Sequence, residues 1–290
     1  MKRRTRWLIL LLVFLVAGGI LYALGSDCRI FASPNRIGVI EVRGLIEDVQ
    51  ETVRAIGDFE KDPFIKALVV RIESPGGGIG PSQELYRALL RARDKKPVVA
   101  SLGSVAASGG YYIASATSRI ISNPGTITGS IGVISYFPNL RELFDKIGYT
   151  TVVVKSGKFK DVGYPGREMT PEEKELLQGT INEAHRQFVR DIVQGRSLPE
   201  EKVLEIADGR ILMGEAAHRL GLVDELGNFQ DALDSAAQLG RIEGEPTLIH
   251  HKKKKRSVLD YLLGTDVGDR LASLTDMTGS FLRYQMPLFP

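Results

Sequence analysis

The sequence is poor in residues on which several protein classes depend. It has one cysteine, Cys28, so the body of the chain is predicted to contain no internal disulfide. Its four histidines begin only at His185 and lie in segments typical of helix or basic tail. Two phosphate-binding motifs, GxGxxG and GxxxxGK followed by Ser or Thr, are absent, as is any internal repeat of about 20–50 residues. These absences argue against a phosphate-binding loop and against a solenoid.

Positive charge is concentrated in two clusters, residues 2–6 and residues 252–256. The formal net charge is +3, and removing the nine positive charges of the clusters leaves the rest of the chain near −6. A nucleic-acid interface needs basic residues spread over a folded surface, so no nucleic-acid partner is expected. The second cluster is either a solvated segment or, with the apolar residues after it, an amphipathic piece on a membrane or a neighbouring subunit.

Only one apolar run is long enough to cross a bilayer. The eighteen residues Trp7–Leu24 carry no charge, and as a helix they span roughly 27 Å, close to the thickness of the hydrocarbon core. Cleavable signal peptides have a shorter apolar stretch of about 7–15 residues, which favours a retained anchor over a removed signal. The basic residues before the run predict a cytoplasmic N-terminus and an extracytoplasmic body.

The chain from Arg36 onward has the pattern of an α/β protein. Apolar, β-branched runs alternate with helix-like stretches such as Ser82–Arg93 and Asn139–Ile147, which predicts a largely parallel sheet with helical crossovers. Thr170 is the predicted cap of a long helix that ends near Val193, and the last element ends near Leu239. The predicted strands are Ile37–Val42, Ala67–Ile72, Pro97–Leu102, Arg119–Ser122, Ile131–Ser135 and Thr150–Lys155.

Ser108 lies in a glycine-flanked turn, Ala106–Tyr112, at the start of a predicted buried helix, Gly109–Ala116. At a helix N-terminus the helix dipole stabilises a forming alkoxide, as a nucleophile requires. A serine that merely caps the helix is the alternative interpretation. The turn Ser74–Gly78 also has two interpretations, because its glycines either direct bare N–H groups at an oxyanion or make a tight turn from strand to helix.

A serine nucleophile needs a base, and no histidine lies near Ser108 in the sequence. A lysine amine performs this role when burial favours its neutral form at neutral pH. Lys155, Lys158 and Lys160 lie in a glycine-containing segment, and the residue pattern alone does not distinguish among them. Each also has the interpretation of an ordinary surface lysine.

Taken together, several motifs resemble the signal peptide peptidase A family, which are membrane-anchored Ser-Lys serine proteases of the ClpP/crotonase fold. The resemblance runs from about Gly38 to Gly227 and covers most of the body. The length resembles the short bacterial form with one catalytic domain. The matching segments are Ile72–Gly78, Ala106–Tyr112, Thr128–Val133, Lys155–Gly157 with Lys160–Asp161, Arg167–Thr170 and Ala207–Arg210.

The resemblance implies a role for each of five residues. Ser108 is the expected nucleophile and Lys160 the expected general base. Gly77 and Gly109 are expected to supply the oxyanion-hole N–H groups, and Ser130 is expected to orient the lysine amine. The resemblance implies no metal or cofactor. It also implies a dome of eight subunits in which adjacent protomers contribute the serine and the lysine.

The residue pattern and the resemblance together predict a domain division and a function. A cytoplasmic basic segment (1–6), a transmembrane signal anchor (7–25) and a linker (26–35) precede a ClpP/crotonase-like peptidase domain (36–240) and a basic, amphipathic tail (241–290). The expected protein spans the bacterial inner plasma membrane once, and its catalytic domain lies outside the cytoplasm. Its expected substrates are remnant signal peptides and similar extended, apolar segments.

Three alternative functions fit the sequence less well. A membrane protease that cleaves a stomatin-type scaffold protein would be favoured by extra transmembrane segments, and this chain shows one. An acyl-CoA enzyme of the same fold fits poorly with an extracytoplasmic body. A non-catalytic assembly scaffold fits poorly with an intact Ser108 and Lys160. Separately, the apolar, extended C-terminus, Tyr284–Pro290, predicts a self-inhibitory peptide that docks in the substrate groove.

Overall fold

A computed structural model describes Phe14, residues 35–251 and residues 283–285 of the chain. The predicted anchor (7–25) and Cys28 lie outside this part of the protein. Within the described part, no helix combines the length and the apolar character needed to cross a bilayer.

The core of the fold is a mostly parallel β-sheet. Eight strands in the described residues form it, in the order β7-β6-β4-β2-β1-β9, with β5 beside β4 and β8 beside β5. All of these pairs are parallel except the antiparallel β6–β7 pair. The strands are β1 Arg36–Arg43, β2 Ile65–Ser74, β4 Val98–Ala106, β5 Arg119–Ser122, β6 Ile127–Gly129, β7 Ile211–Met213, β8 Glu225–Leu226 and β9 Thr247–His250.

Helices connect the strands, as the alternating pattern predicts. The predicted mixed α/β architecture with helical crossovers is therefore confirmed. The helices of the described residues are α1 Gln50–Lys61, α2 Ile79–Arg93, α3 Gly109–Ala114, α4 Arg141–Lys146, α5 Pro171–Arg196, α6 Glu200–Leu204, α7 Gly214–Arg219 and α8 Phe229–Leu239.

Both faces of the sheet are buried. Successive side chains of a strand point to opposite faces, so the residues of one strand belong to two different clusters. In β1, Ile37 and Val39 pack in a smaller cluster with Ala232 and Leu233 of α8. The alternate side chains of the same strand belong to the larger cluster, together with residues of α1, α2, α3 and α5. This double burial explains why the central strands have continuous apolar runs.

Two predicted strands are wrong. Residues 131–135 contain only one bridge residue, because the left-handed backbone of Gly129 and Ser130, with φ of 71° and 50°, turns the chain away before them. The strand in this region is instead the earlier β6. Residues 150–155 form no strand, and Val152 and Val154 are 84% and 94% exposed. No strand of the described chain pairs with this segment.

The long helix α5 begins as predicted but ends later. Thr170 and Glu173 form a reciprocal capping box at its start, and the helix continues through Gly195 to Arg196. A Cβ at Gly195 would lie 2.2 Å from the carbonyl oxygen of Ser115, so glycine permits this close packing. Glycine thus marks a helix contact here and not the helix end.

The fold uses parts of the chain beyond residue 240. Strand β9 pairs in parallel with β1 and extends the sheet to His250. A separate two-stranded sheet joins β10, Arg283–Gln285, to β3, Gly76–Gly78, in antiparallel register with Tyr284 opposite Gly77. The sequence pattern predicts neither strand, because both depend on partners far away in the chain.

Candidate active site

Ser108 directly precedes the buried helix α3, which holds it in place. Every residue of α3 is buried, and Tyr111 and Tyr112 are completely so. The hydroxyl of Tyr111 donates to the carbonyl of Leu222 at 2.8 Å, and the ring of Tyr112 packs edge-on against Phe188 with centroids 4.9 Å apart. Since both aromatic side chains are fixed by packing and hydrogen bonds, α3 is a rigid platform for the residue before it.

Ser108 has a strained main chain and an unpaired hydroxyl. Its φ and ψ are 53° and −115°, a combination that L-residues rarely adopt and that costs on the order of 1–3 kcal/mol. The residue is 1% exposed, and its Oγ has no hydrogen-bond partner among the described residues. It makes no side-chain capping bond to α3, which contradicts the capping interpretation. Strain together with an unused buried hydroxyl is typical of a nucleophile.

The glycine turn after β2 lies directly against the Ser108 loop. The N–H of Ala107 donates to the carbonyl of Ser74 at 3.1 Å, which joins the two loops. Gly77 is required by close approach, because a Cβ there would lie 2.3 Å from the carbonyl oxygen of Ile46. Ile46 accepts from the N–H of Gly78 at 2.8 Å and donates to the carbonyl of Gly76 at 3.0 Å.

These bonds to Ile46 fix the direction of the Gly77 N–H. Main-chain groups of successive strand residues point to alternate edges, so the N–H of Gly77 points to the edge opposite Ile46. Gly109, as the first residue of α3, has an N–H with no partner inside that helix. The two predicted oxyanion-hole residues are therefore the central residue of β3 and the first residue of α3, which directly follows Ser108.

Ser130 lies beside Ser108 in the structure. The N–H of Ser108 donates to the carbonyl of Gly129 at 2.8 Å, and Ser130 is only 5% exposed. The N–H of Ser130 donates to the carbonyl of Arg210 at 2.8 Å, which holds this second left-handed residue in place.

The Asp208–Arg210 pair fixes the turn that supports Ser130. Nε of Arg210 donates to Asp208 at 2.8 Å and a terminal nitrogen donates at 2.6 Å. The hydrogen bond from the Arg210 side chain lowers the pKa of Asp208 to about 2. The segment Ala207–Arg210 is one of the motifs quoted from the sequence, but the sequence alone did not predict that it supports Ser130.

The three candidate lysines differ in their contacts. Nζ of Lys155 donates to the carboxylate of Asp161 and to the carbonyl of Lys158, and Nζ of Lys158 pairs with Glu172 at 2.5 Å. Nζ of Lys160 makes no hydrogen bond or ion pair with any described residue, and the residue is exposed. A base needs an amine that is not already committed to a carboxylate, so this difference favours Lys160.

The structure assembles most of the predicted site but not all of it. Ser108, Gly109, Ser130 and the Gly77 loop lie together. Ser108 and Lys160 do not meet, since the Oγ of Ser108 lacks any partner within the described residues. Sequence reasoning also missed β10, which runs along the edge to which the Gly77 N–H points.

The comparison with known proteins decides the family. A family model described as peptidase family S49 matches residues 91–243. A putative protease of Synechocystis is 41% identical over 246 residues, which cover 84% of this chain and 88% of that protein. The chain belongs to peptidase family S49. The resemblance to the signal peptide peptidase A family is thereby confirmed, and the chain is a serine-type protease.

Other relatives of this S49 protease differ in length. A putative signal peptide peptidase of Enterococcus faecium is 31% identical, and the match covers 82% of this chain and 73% of that one. Protease 4 of Salmonella typhi is 32% identical over 85% of this chain, but the match spans only 41% of that longer protein. A solved structure of a mutant 1510-N membrane-bound stomatin-specific protease gives a TM-score of 0.48 at 16% identity, covering 76% of this chain and 99% of that one.

Proposed function

We propose that this S49 protease is a membrane-anchored endopeptidase of the ClpP/crotonase fold that cleaves remnant signal peptides outside the cytoplasm, with Ser108 as nucleophile and Lys160 as general base. The observation that carries this proposal is the state of Ser108. Ser108 is buried and held at positive φ, and its hydroxyl stabilises the fold through no hydrogen bond to any residue that the structure describes. Its hydroxyl is available for chemistry.

The reaction follows from the groups around Ser108. Oγ attacks the scissile carbonyl carbon while the amine of Lys160 takes its proton. The N–H groups of Gly77 and Gly109 stabilise the oxyanion of the tetrahedral intermediate. The C–N bond then breaks, and the leaving amine receives the proton from the lysine. Water, activated by the same lysine, hydrolyses the acyl-enzyme and restores Ser108.

We further propose that the lysine comes from a neighbouring protomer. The Oγ of Ser108 and the Nζ of Lys160 are each without a partner in the described chain, so both ends of the required hydrogen bond are free. The segment that leads to Lys160 carries exposed apolar side chains at Val152 and Val154. A second copy that covers this segment would bury those side chains and bring the lysine to the serine. A closed ring of eight such copies is the proposed assembly.

The proposed substrates bind as an added β-strand. The edge of β3 at Gly77 accepts a short antiparallel strand, which in this chain is residues 283–285. An extended peptide on this edge has its main chain fixed by β-pairing and its scissile carbonyl close to the Gly77 N–H. A remnant signal peptide in extended form satisfies this requirement. The predicted anchor at 7–25 and the extracytoplasmic location belong to the same proposal.

A complementation experiment tests the mechanism and the shared site together. The Ser108→Ala and Lys160→Ala variants of the full-length protein are assayed alone and after unfolding together and refolding as a mixture, with a quenched signal-peptide substrate. Each variant alone should lose activity by at least about a thousandfold. Random mixing places an intact serine next to an intact lysine at about a quarter of the sites, so about a quarter of the wild-type activity should return.

Each result separates the two parts of the proposal. An active Lys160→Ala variant contradicts the base assignment and turns attention to Lys155 and Lys158. Two inactive variants that show no recovery, in assemblies proven to be mixed by mass, support the dyad but place both residues in one chain. An active Ser108→Ala variant contradicts the serine mechanism itself.

A further inference from the structure

Arg167 connects two carboxylates near Lys160. Its two terminal nitrogens donate to the two carboxylate oxygens of Glu173 at 2.7 Å and 2.5 Å. Its Nε donates to Oδ2 of Asp161 at 3.2 Å, and a terminal nitrogen also reaches the carbonyl of Asp161 at 3.4 Å. The planar guanidinium therefore binds Glu173 in a bidentate manner while its inner edge holds Asp161.

The Glu173 end of this network is anchored in the body of the protein. Its side chain is only 4% exposed, and its carboxylate accepts from the N–H of Thr170 at 2.9 Å. The hydroxyl of Thr170 accepts from the N–H of Glu173 at 3.2 Å and completes the capping box of α5. Since α5 packs into the core through Phe188 and Ile192, Glu173 is a fixed point.

The Asp161 end controls the turn that carries Lys160. Asp161 follows Lys160 directly, and its carboxylate also accepts from the amine of Lys155. The main-chain N–H of Lys160 donates to the carbonyl of Gly157 at 3.1 Å, which closes the turn between these points. Asp161 thus ties both sides of the turn to Arg167, and an exposed ion pair between Lys158 and Glu172 is a second link from this turn to α5.

We infer that Arg167 is a positioning residue for the general base: through Asp161 and Glu173 it fixes the Lys160 turn to the start of α5. This inference rests on the proposed function, because it assigns a catalytic purpose to the turn. It also assigns a role to the segment Arg167–Thr170, which has no role in the proposed reaction.

The network keeps its charges throughout the pH range of an assay. The hydrogen bonds of Arg167 lower the pKa of Glu173 to about 2, and the bond from Lys155 lowers the pKa of Asp161. The pKa of Arg167 is raised by the same carboxylates. The stabilisation from Glu173 is thus complete above about pH 4.5 and is lost as the pH falls towards 2. A change of rate with pH above 5 therefore does not report the titration of these three groups.

Kinetics of Arg167→Gln and Arg167→Lys in the full-length assembly test the inference. Arg167→Gln should lower kcat about 10- to 100-fold while KM changes less than about twofold, because the base is displaced and the substrate edge is not. The acid limb of the pH profile of kcat should move to higher pH, since an amine displaced from the covered site of the proposed assembly into water favours its charged form. Arg167→Lys should recover part of kcat, because it keeps the charge but not the fork.

The control variant is Arg219→Gln, which breaks an exposed pair with Glu215 on α7 and should leave all three readouts unchanged. A lower melting temperature of Arg167→Gln with unchanged kcat per active site and an unchanged acid limb would show a purely structural role and overturn the inference. Loss of activity in Ser108→Ala and Lys160→Ala, measured alongside, shows that the proposed function itself stands. If either of these is active, the proposed function fails first.

Discussion

Gly77 lies where the main chains of two segments pass too close to admit a side chain. The ideal Cβ position at this residue is 2.3 Å from the oxygen and 2.5 Å from the nitrogen of Ile46. Both contacts are with main chain, which cannot rotate away as a side chain can. The shape of the proposed oxyanion hole therefore depends on one missing methyl group.

The variant Gly77→Ala tests this dependence. The added methyl should displace the Gly77 N–H, lowering kcat by about 10²- to 10³-fold and the free energy of unfolding by about 1–3 kcal/mol. Peptidase assays and thermal unfolding measure the two effects. The matched control is Gly80→Ala, three residues on in α2, where nothing lies within 4 Å of the added atom. It should keep full activity and gain about 0.5–1 kcal/mol. Equal activities of the two variants would contradict the oxyanion assignment.

The sequence alone could not choose between the two interpretations of Ser108. A capping serine and a nucleophilic serine have the same residue type in the same position before a helix. The choice depends on φ and on the partner of Oγ, which only the folded backbone determines. The sequence also could not choose among the three candidate lysines. Which of them pair with Asp161 and Glu172 depends on distances in the folded chain and not on their order in the sequence.

At the scale of elements, β3 is a strand of three glycines with a different neighbour on each side. Ile46 forms a parallel bridge with Gly77 on one side, and residues 283–285 pair on the other. The C-terminal segment therefore occupies the edge that the proposed function assigns to substrate. This position agrees with a self-inhibitory tail.

Deletion of residues 282–290, which removes all of β10, tests that role. The truncated enzyme should cleave a short peptide substrate several-fold faster at low substrate concentration, because a tethered strand competes at an effective concentration of about millimolar. A synthetic peptide of residues 282–290, added to the truncated enzyme, should raise KM and leave kcat unchanged. Equal rates for the full-length and truncated enzymes would contradict the self-inhibitory role.

Element prediction succeeded where the pattern is local and failed where pairing is distant. The continuous burial in the middle of β1 and β2 follows directly from their apolar runs, and Thr170 with Glu173 predicts the start of α5. The run Val152–Val154 looks like a strand for the same compositional reason. It lacks a partner in the described chain, and strand propensity alone does not supply one.

At the scale of the whole molecule, a single chain leaves apolar side chains exposed to solvent in the segment before Lys160. Tyr149, Val152 and Val154 are each more than half exposed, and the Lys160 turn follows them in the chain. Exposed apolar side chains that are grouped in one short segment favour an interface there. In the proposed assembly it is the surface through which one protomer completes the site of the next.

The double variant Val152→Asp with Val154→Asp tests the assembly. Its molecular mass in detergent, measured by light scattering, should fall towards that of the monomer, and peptidase activity should fall with it. The melting temperature of the chain itself should change little, because exposed side chains contribute within about 0.5 kcal/mol. Leu204→Asp, on the exposed side of α6, is the control for added charge and should stay assembled and active. A fully assembled double variant would place the interface elsewhere.

The glycine strand β3 also predicts which proteins such a protease leaves uncleaved. An edge without side chains offers only main-chain pairing, so it imposes little specificity for the amino-acid sequence of a bound peptide. In the proposed binding mode it requires instead a run of consecutive residues whose main-chain groups have no hydrogen-bond partners of their own, which folded proteins almost never offer. Under the proposed function, the folded state of other proteins therefore protects them from cleavage, and the protease acts on peptides that lack structure.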